Sequence, residues 1–96
     1  MKTIYISGKI SGLSIQEAEY NFTRSECELV NYKTINPLNI RPLFGIKKWL
    51  FYMISDILQL RKCTHIAMQK NWIDSKGAVI EYFLAKFIFK LEIIFL

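Results

Sequence analysis

The strongest constraint on this chain is its alternation of two segment lengths. Residues 3–6, 33–36, 65–68 and 92–95 are short stretches of strand length, mainly apolar in all but 33–36, and segments long enough for helices separate them. Strands joined by helix-length connections cannot form hairpins, so the order β-α-β-α-β-α-β predicts a parallel sheet with right-handed crossovers and helices on both faces. In such a doubly wound sheet a ligand sits beyond the carboxyl ends of the strands, at the switch point between the first and third.

Local signals place the helices. Ser14 with Glu17 three residues on is a capping box, and Leu13 with Ala18 fits the apolar staple around it. Ala18, Phe22 and Leu29 then recur at helical spacing to about residue 30, leaving Glu17, Glu19, Arg24, Glu26 and Glu28 for water. Pro37 ends the second strand because it has no N–H for a ladder. Residues 38–46 read as a loop, followed by a helix to about Leu60. Its predicted inner face is Leu50, Met53, Ile54 and Ile57, with Asp56 on a neighbouring face. Ser75 is placed to cap a third helix that runs to about Phe89.

Within that third helix, Glu81 is the only carboxylate in the apolar run from Ala78 to Ala85. A charge bound for the interior is expensive unless something uses it. At the other end of the chain, Tyr5-Ile6-Ser7-Gly8-Lys9-Ile10-Ser11-Gly12 is a strand running into a Gly/Ser loop. Such loops offer backbone donors to an anionic group, although no P-loop or Gly-x-Gly-x-x-Gly spacing is present. This loop, the loop at 70–74 and the start of the Glu81 helix all open toward the same predicted crevice.

Composition narrows the function classes. Ninety-six residues suffice for one domain spanning 1–96, and 52% hydrophobic with 15% aromatic content excludes disorder. That much apolar surface exceeds what one small core hides, so a homo-oligomer is expected. The net charge of +5 is dispersed, with Lys47-Lys48 and Arg61-Lys62 the adjacent basic pairs, which argues against nucleic acid and for a small anionic ligand. Cys27 and Cys63 lack metal-ligand spacing and read as reduced, buried thiols; the lone His65 reads as structural. No metal or cofactor is expected. The chain opens on a strand rather than a signal peptide. The apolar stretch 77–96 is broken by Glu81, Lys86, Lys90 and Glu92, so no membrane span is expected and the expected location is cytoplasmic.

Four segments taken in order carry a family likeness: residues 5–13, Asn36-Pro37-Leu38, Met53-Ile54-Ser55-Asp56-Ile57, and Trp72-Ile73-Asp74-Ser75-Lys76-Gly77-Ala78-Val79-Ile80-Glu81. Together they resemble a small bacterial and phage branch of the nucleoside 2-deoxyribosyltransferase-like superfamily. The resemblance implies a flavodoxin-like (Rossmann-like) three-layer α/β sandwich with a four-stranded parallel sheet, generally oligomeric. It implies cleavage or transfer of the N-glycosidic bond of a nucleoside or nucleoside monophosphate. Glu81 then corresponds to the nucleophile, with Asp56 and Tyr5 as further catalytic candidates. Ser7, Gly8, Lys9, Ser11 and Gly12 become candidate phosphate contacts, and Ser75 and Gly77 candidate substrate contacts. Trp72, an aromatic in the loop facing the crevice, is a further substrate candidate that could stack on a base or equally serve a core or dimer contact.

Two departures stand out. Ser75 occupies the place, six residues before the nucleophile, where transferases keep a base-binding aspartate, with Asp74 shifted by one. Cys63-Thr64-His65 also lacks an aspartate that many relatives carry there. A non-catalytic nucleotide-binding or interaction module of the same fold is therefore the competing expectation.

Overall fold

The computed structural model describes residues 2–10, 12–39 and 49–96. Four strands, β1 (Thr3–Ser7), β2 (Lys33–Ile35), β3 (His65–Met68) and β4 (Glu92–Phe95), form one sheet in the order β2-β1-β3-β4. Every pairing is parallel, with Ile4 level with His65 and Thr34, and His65 level with Glu92. The sheet is flanked by α1 (Ile15–Glu28), α2 (Trp49–Leu60) and α3 (Lys76–Phe83). The chain steps one way from β1 to β2 and the other way through β3 to β4. A common crossover hand then puts α1 on one face and α2 with α3 on the other.

The packing follows this division. On the α1 face Ile4, Ile6 and Ala67 meet Phe22 and Leu29; on the opposite face Tyr5, Ile66 and Met68 meet Leu60, Ala78 and Ala85. The two-residue period of β1 sends Ile4 and Ile6 one way and Tyr5 and Ser7 the other. This is the three-layer α/β architecture expected from the strand and helix order, flavodoxin-like as the resemblance implies.

Most local expectations hold within a residue or two. Ser14 is the N-cap of α1, its Oγ accepting from the Glu17 amide at 3.1 Å. The capping box differs in one detail: the Ser14 hydroxyl also donates to Glu17 Oε1 at 3.3 Å. Of the expected wet residues, Glu26 is half-buried and accepts from Asn36 Nδ2. β2 stops at Ile35, and Asn36 Oδ1 takes the Leu38 amide at 3.0 Å as the chain turns into a 3-10 turn, Pro37–Asn39. The rest of the expected loop and the Leu50 side chain lie outside the described residues.

Three expectations are corrected. α2 buries Met53, Asp56 and Leu60, while Ile54 is 48% exposed. Its inner stripe thus runs i, i+3, i+7 through the aspartate, because that stripe lies toward the layer holding Glu81. Cys27 is exposed on α1, since the inner positions of that helix go to Ala18, Phe22 and Ser25. The third helix is not regular to Phe89: after Phe83 it widens into a π turn, Leu84–Ile88, with the Phe89 amide reaching back to the Leu84 carbonyl. Leu91 N–H then caps the Ala85 carbonyl at 2.8 Å, and Lys90 takes a left-handed φ of 54° where glycine is usual.

Cys63 is buried and directs its thiol at the Gln59 carbonyl. Burial pushes its pKa from an ordinary 9.0 up to about 11, with nearby Lys33 pulling the other way. Between these values only the unfolded chain gains the thiolate, so this thiol's contribution to stability is complete below pH 9.0 and lost as pH rises toward about 11. Thiol labelling near neutral pH is expected to modify Cys27 in the folded protein and Cys63 only in denaturant. Equal labelling of both in the native state would contradict this packing.

Candidate functional site at the carboxyl end of the central strand

Tyr5 and Ser7 alternate along β1 and therefore share a face. Above them α3 presents Ala78 and Glu81, and the π turn that continues it presents Ala85, one buried stripe at i, i+3 and i+7. The two alanines let the helix approach closely, and that approach brings Glu81 within reach of the strand. Tyr5 Oη donates to Glu81 Oε2 at 2.6 Å, and Ser7 Oγ donates to Glu81 Oε1 at 2.7 Å. All three residues are buried, Glu81 at 4% exposure. Hydroxyl-to-carboxylate bonds this short are the charge-assisted kind, stronger than neutral ones.

Asp56 is buried at 2% exposure on α2, in the same layer. Two interior carboxylates on neighbouring helices are an unusual expense for a domain of this size, and buried acid pairs are a recurring feature of acid–base sites.

The other candidates are tied up in the loops around the site. Ser75 is the N-cap of α3, its Oγ accepting from the Ala78 amide at 3.2 Å, and Gly77 is half-buried in the first turn. The Lys9 amide donates to Asn71 Oδ1 at 3.1 Å, joining the loop after β1 to the loop after β3. Trp72 is half-buried and stacks on Tyr82 with ring centroids 4.8 Å apart, near Phe95. One face of its ring is thereby already covered. Gly12 adopts φ +86° and makes the turn into α1. Ser11 lies outside the described residues.

Gly8 owes its identity to a side chain. A Cβ there would lie 2.0 Å from Gln69 Oε1 and 2.9 Å from Gln69 Cβ. Gln69 is buried and donates through Nε2 to Ser25 Oγ at 3.0 Å, pinning the end of β3 to α1. Residues Asn21, Arg24, Ser25, Gln69 and Asn71 also line a hollow of about 130 Å³, but it opens on the α1 side, away from the face that holds Glu81.

Sequence reasoning placed Ser7 in the loop as a ligand contact, whereas its hydroxyl holds Glu81. The two-residue period from Tyr5 was the signal for that role. Gln69 and Asn71 were missed altogether, and nothing local in the sequence marks their contacts.

A parallel α/β domain with a doubly held, buried glutamate at the carboxyl end of its central strand is what these features define. The chain belongs to a family described as a domain of unknown function, DUF4406, whose model matches residues 2–95. No curated protein matches the sequence.

Two sets of variants probe this arrangement. Tyr5→Phe and Ser7→Ala each remove one donor from a buried carboxylate and are expected to lower stability by about 1–3 kcal/mol in urea or thermal unfolding. No change in either variant would mean the bonds contribute nothing. Gly8→Ala is expected to cost about 1–3 kcal/mol by overpacking. Part of that cost should return in the Gly8→Ala/Gln69→Ala double variant, since the two positions are in contact.

Proposed function

We propose that this domain cleaves or exchanges the N-glycosidic bond of a nucleoside or nucleoside monophosphate, with Glu81 as the nucleophile. The observation that carries the reading is the buried Glu81 carboxylate held on both oxygens by Tyr5 and Ser7. A stable core has no need of such a group, and a preset carboxylate at a strand's carboxyl end is suited to meet an electron-poor sugar carbon. The likeness to nucleoside 2-deoxyribosyltransferases noted in residues 5–13 and 72–81 supports the same chemistry.

In this reading a Glu81 oxygen bonds to the anomeric carbon as the C–N bond breaks. The bonding pair leaves with the base nitrogen, which takes up a proton, and Asp56 is the candidate to supply or relay it. Water attacking the resulting glycosyl ester gives hydrolysis, and a second base gives transfer. Both routes pass through two displacements and retain configuration. Tyr5 and Ser7 fix the carboxylate's orientation and temper its basicity through their hydrogen bonds.

A second reading rests on a separate observation. The Lys9 amide and the Ser75 hydroxyl, both ligand candidates, are engaged within the chain by Asn71 and Ala78. That leaves fewer groups to hold a substrate and favours a non-catalytic module of the same fold.

Incubation with deoxynucleosides and their monophosphates, followed by chromatography for free base, separates the two. Under the enzymatic reading base is released, and Glu81→Gln reduces the release by at least about a thousandfold, the scale expected when a covalent nucleophile is lost. Binding without release, unchanged in Glu81→Gln, would leave the module reading standing.

A further inference from the structure

A four-stranded open sheet has two edges, and here they are built differently. The β2 edge is three residues long, opens on the exposed Lys33, and is followed closely by Pro37. Shortness, charge and proline all blunt an edge against added strands. The β4 edge has neither that proline nor that lysine. Glu92–Phe95 and the following Leu96 contain no proline, glycine or lysine. Its one charge, Glu92, is turned to the neighbouring strand, with Oε2 2.9 Å from His65 Nε2.

The amides of Glu92 and Leu96 donate to the Thr64 and Met68 carbonyls. Ladder alternation therefore directs the N–H and C=O groups of Ile93 and Phe95 outward. Beyond β4 the sheet has no further strand among the described residues. Large apolar side chains accompany this edge and the helix end that precedes it: Phe87 is 59% exposed, Ile88 65% and Phe95 61%.

We propose that a second copy of this chain docks on the β4 edge, the two β4 strands pairing antiparallel about a two-fold axis normal to the sheet. The result is one continuous eight-stranded sheet. A two-fold centred at Ile94 sets Ile93 opposite the partner's Phe95, and the outward-directed groups of both residues pair across the axis. That axis also keeps like faces together, so the α3 layer of each copy lies beside that of the other. An apolar rim with three side chains more than half exposed, plus the strand itself, supplies on the order of half the ~800 Å² per partner of a standard interface. The blunted β2 edge accounts for closure. Parallel joining of β4 to β2 would run on into a filament, whereas β4 to β4 stops at two. This inference is independent of the glycosidic reading.

Sedimentation of the full chain across a dilution series, with hydrogen exchange on the same samples, tests it. The expected species is a dimer of twice the 11.3 kDa chain mass, with slow exchange at the Ile93 and Phe95 amides that is lost on dilution. Ile93→Pro, which removes an outward N–H, and Phe95→Lys, which places a charge on the rim, should each halve the mass while far-UV circular dichroism stays native. Lys33→Glu on the opposite edge should leave the dimer intact. A monomer at every concentration overturns the proposal, as does an open polymer. A dimer with fast-exchanging Ile93 and Phe95 amides also overturns it, and that measurement needs no variant to fold.

Discussion

The acid of Glu81, suspended between the hydroxyls of Tyr5 and Ser7, is the constraint around which this domain is arranged. A carboxylate at 4% exposure needs donors in fixed positions, and two residues of one strand face supply them. Only a helix close to the sheet can deliver the acid there, which is why small side chains stand one turn before it and one turn after. The central position of β1, paired on both sides, makes the donors rigid. Strand order, helix approach and side-chain size all serve one short pair of hydrogen bonds.

The loops around this point show a division of labour. The bend after β1 is held from the β3 side: the Asn71 side chain takes the Lys9 amide, and Gln69 fills the space over Gly8. Glycine at position 8 is thus a packing requirement of the α1 face, while Gly12 meets a backbone requirement. The same bend that looks open to a ligand in the sequence has part of its donor capacity committed within the chain. What remains concentrated on the α2–α3 side is acid, in Glu81 and Asp56.

The fold was legible because its signals are local and agree with one another. Alternating segment lengths, the Ser14 and Ser75 caps and Pro37 each specify a neighbourhood of a few residues, and the parallel order follows from connection length. Glu81 stood out for a similar reason, as one charge in an apolar run. Less legible were features set by contact between distant segments. The inner stripe of α2 runs through Asp56 because of what lies opposite it, which periodicity within the helix does not report. Gln69 against Gly8 spans 61 positions, and neither residue's neighbours hint at it. Cys27 was misplaced because a thiol's average burial says little about which side of α1 it falls on.

The widened turn at Leu84–Ile88 puts one more residue into the last helical turn than an α-helix would hold. With the left-handed Lys90 after it, this gives the connection between the Glu81 helix and the last strand a spare residue of slack. An added or removed residue has a natural place to fall there. The turn can tighten to regular pitch or loosen again, absorbing a change in length before it reaches the acid upstream or the strand downstream.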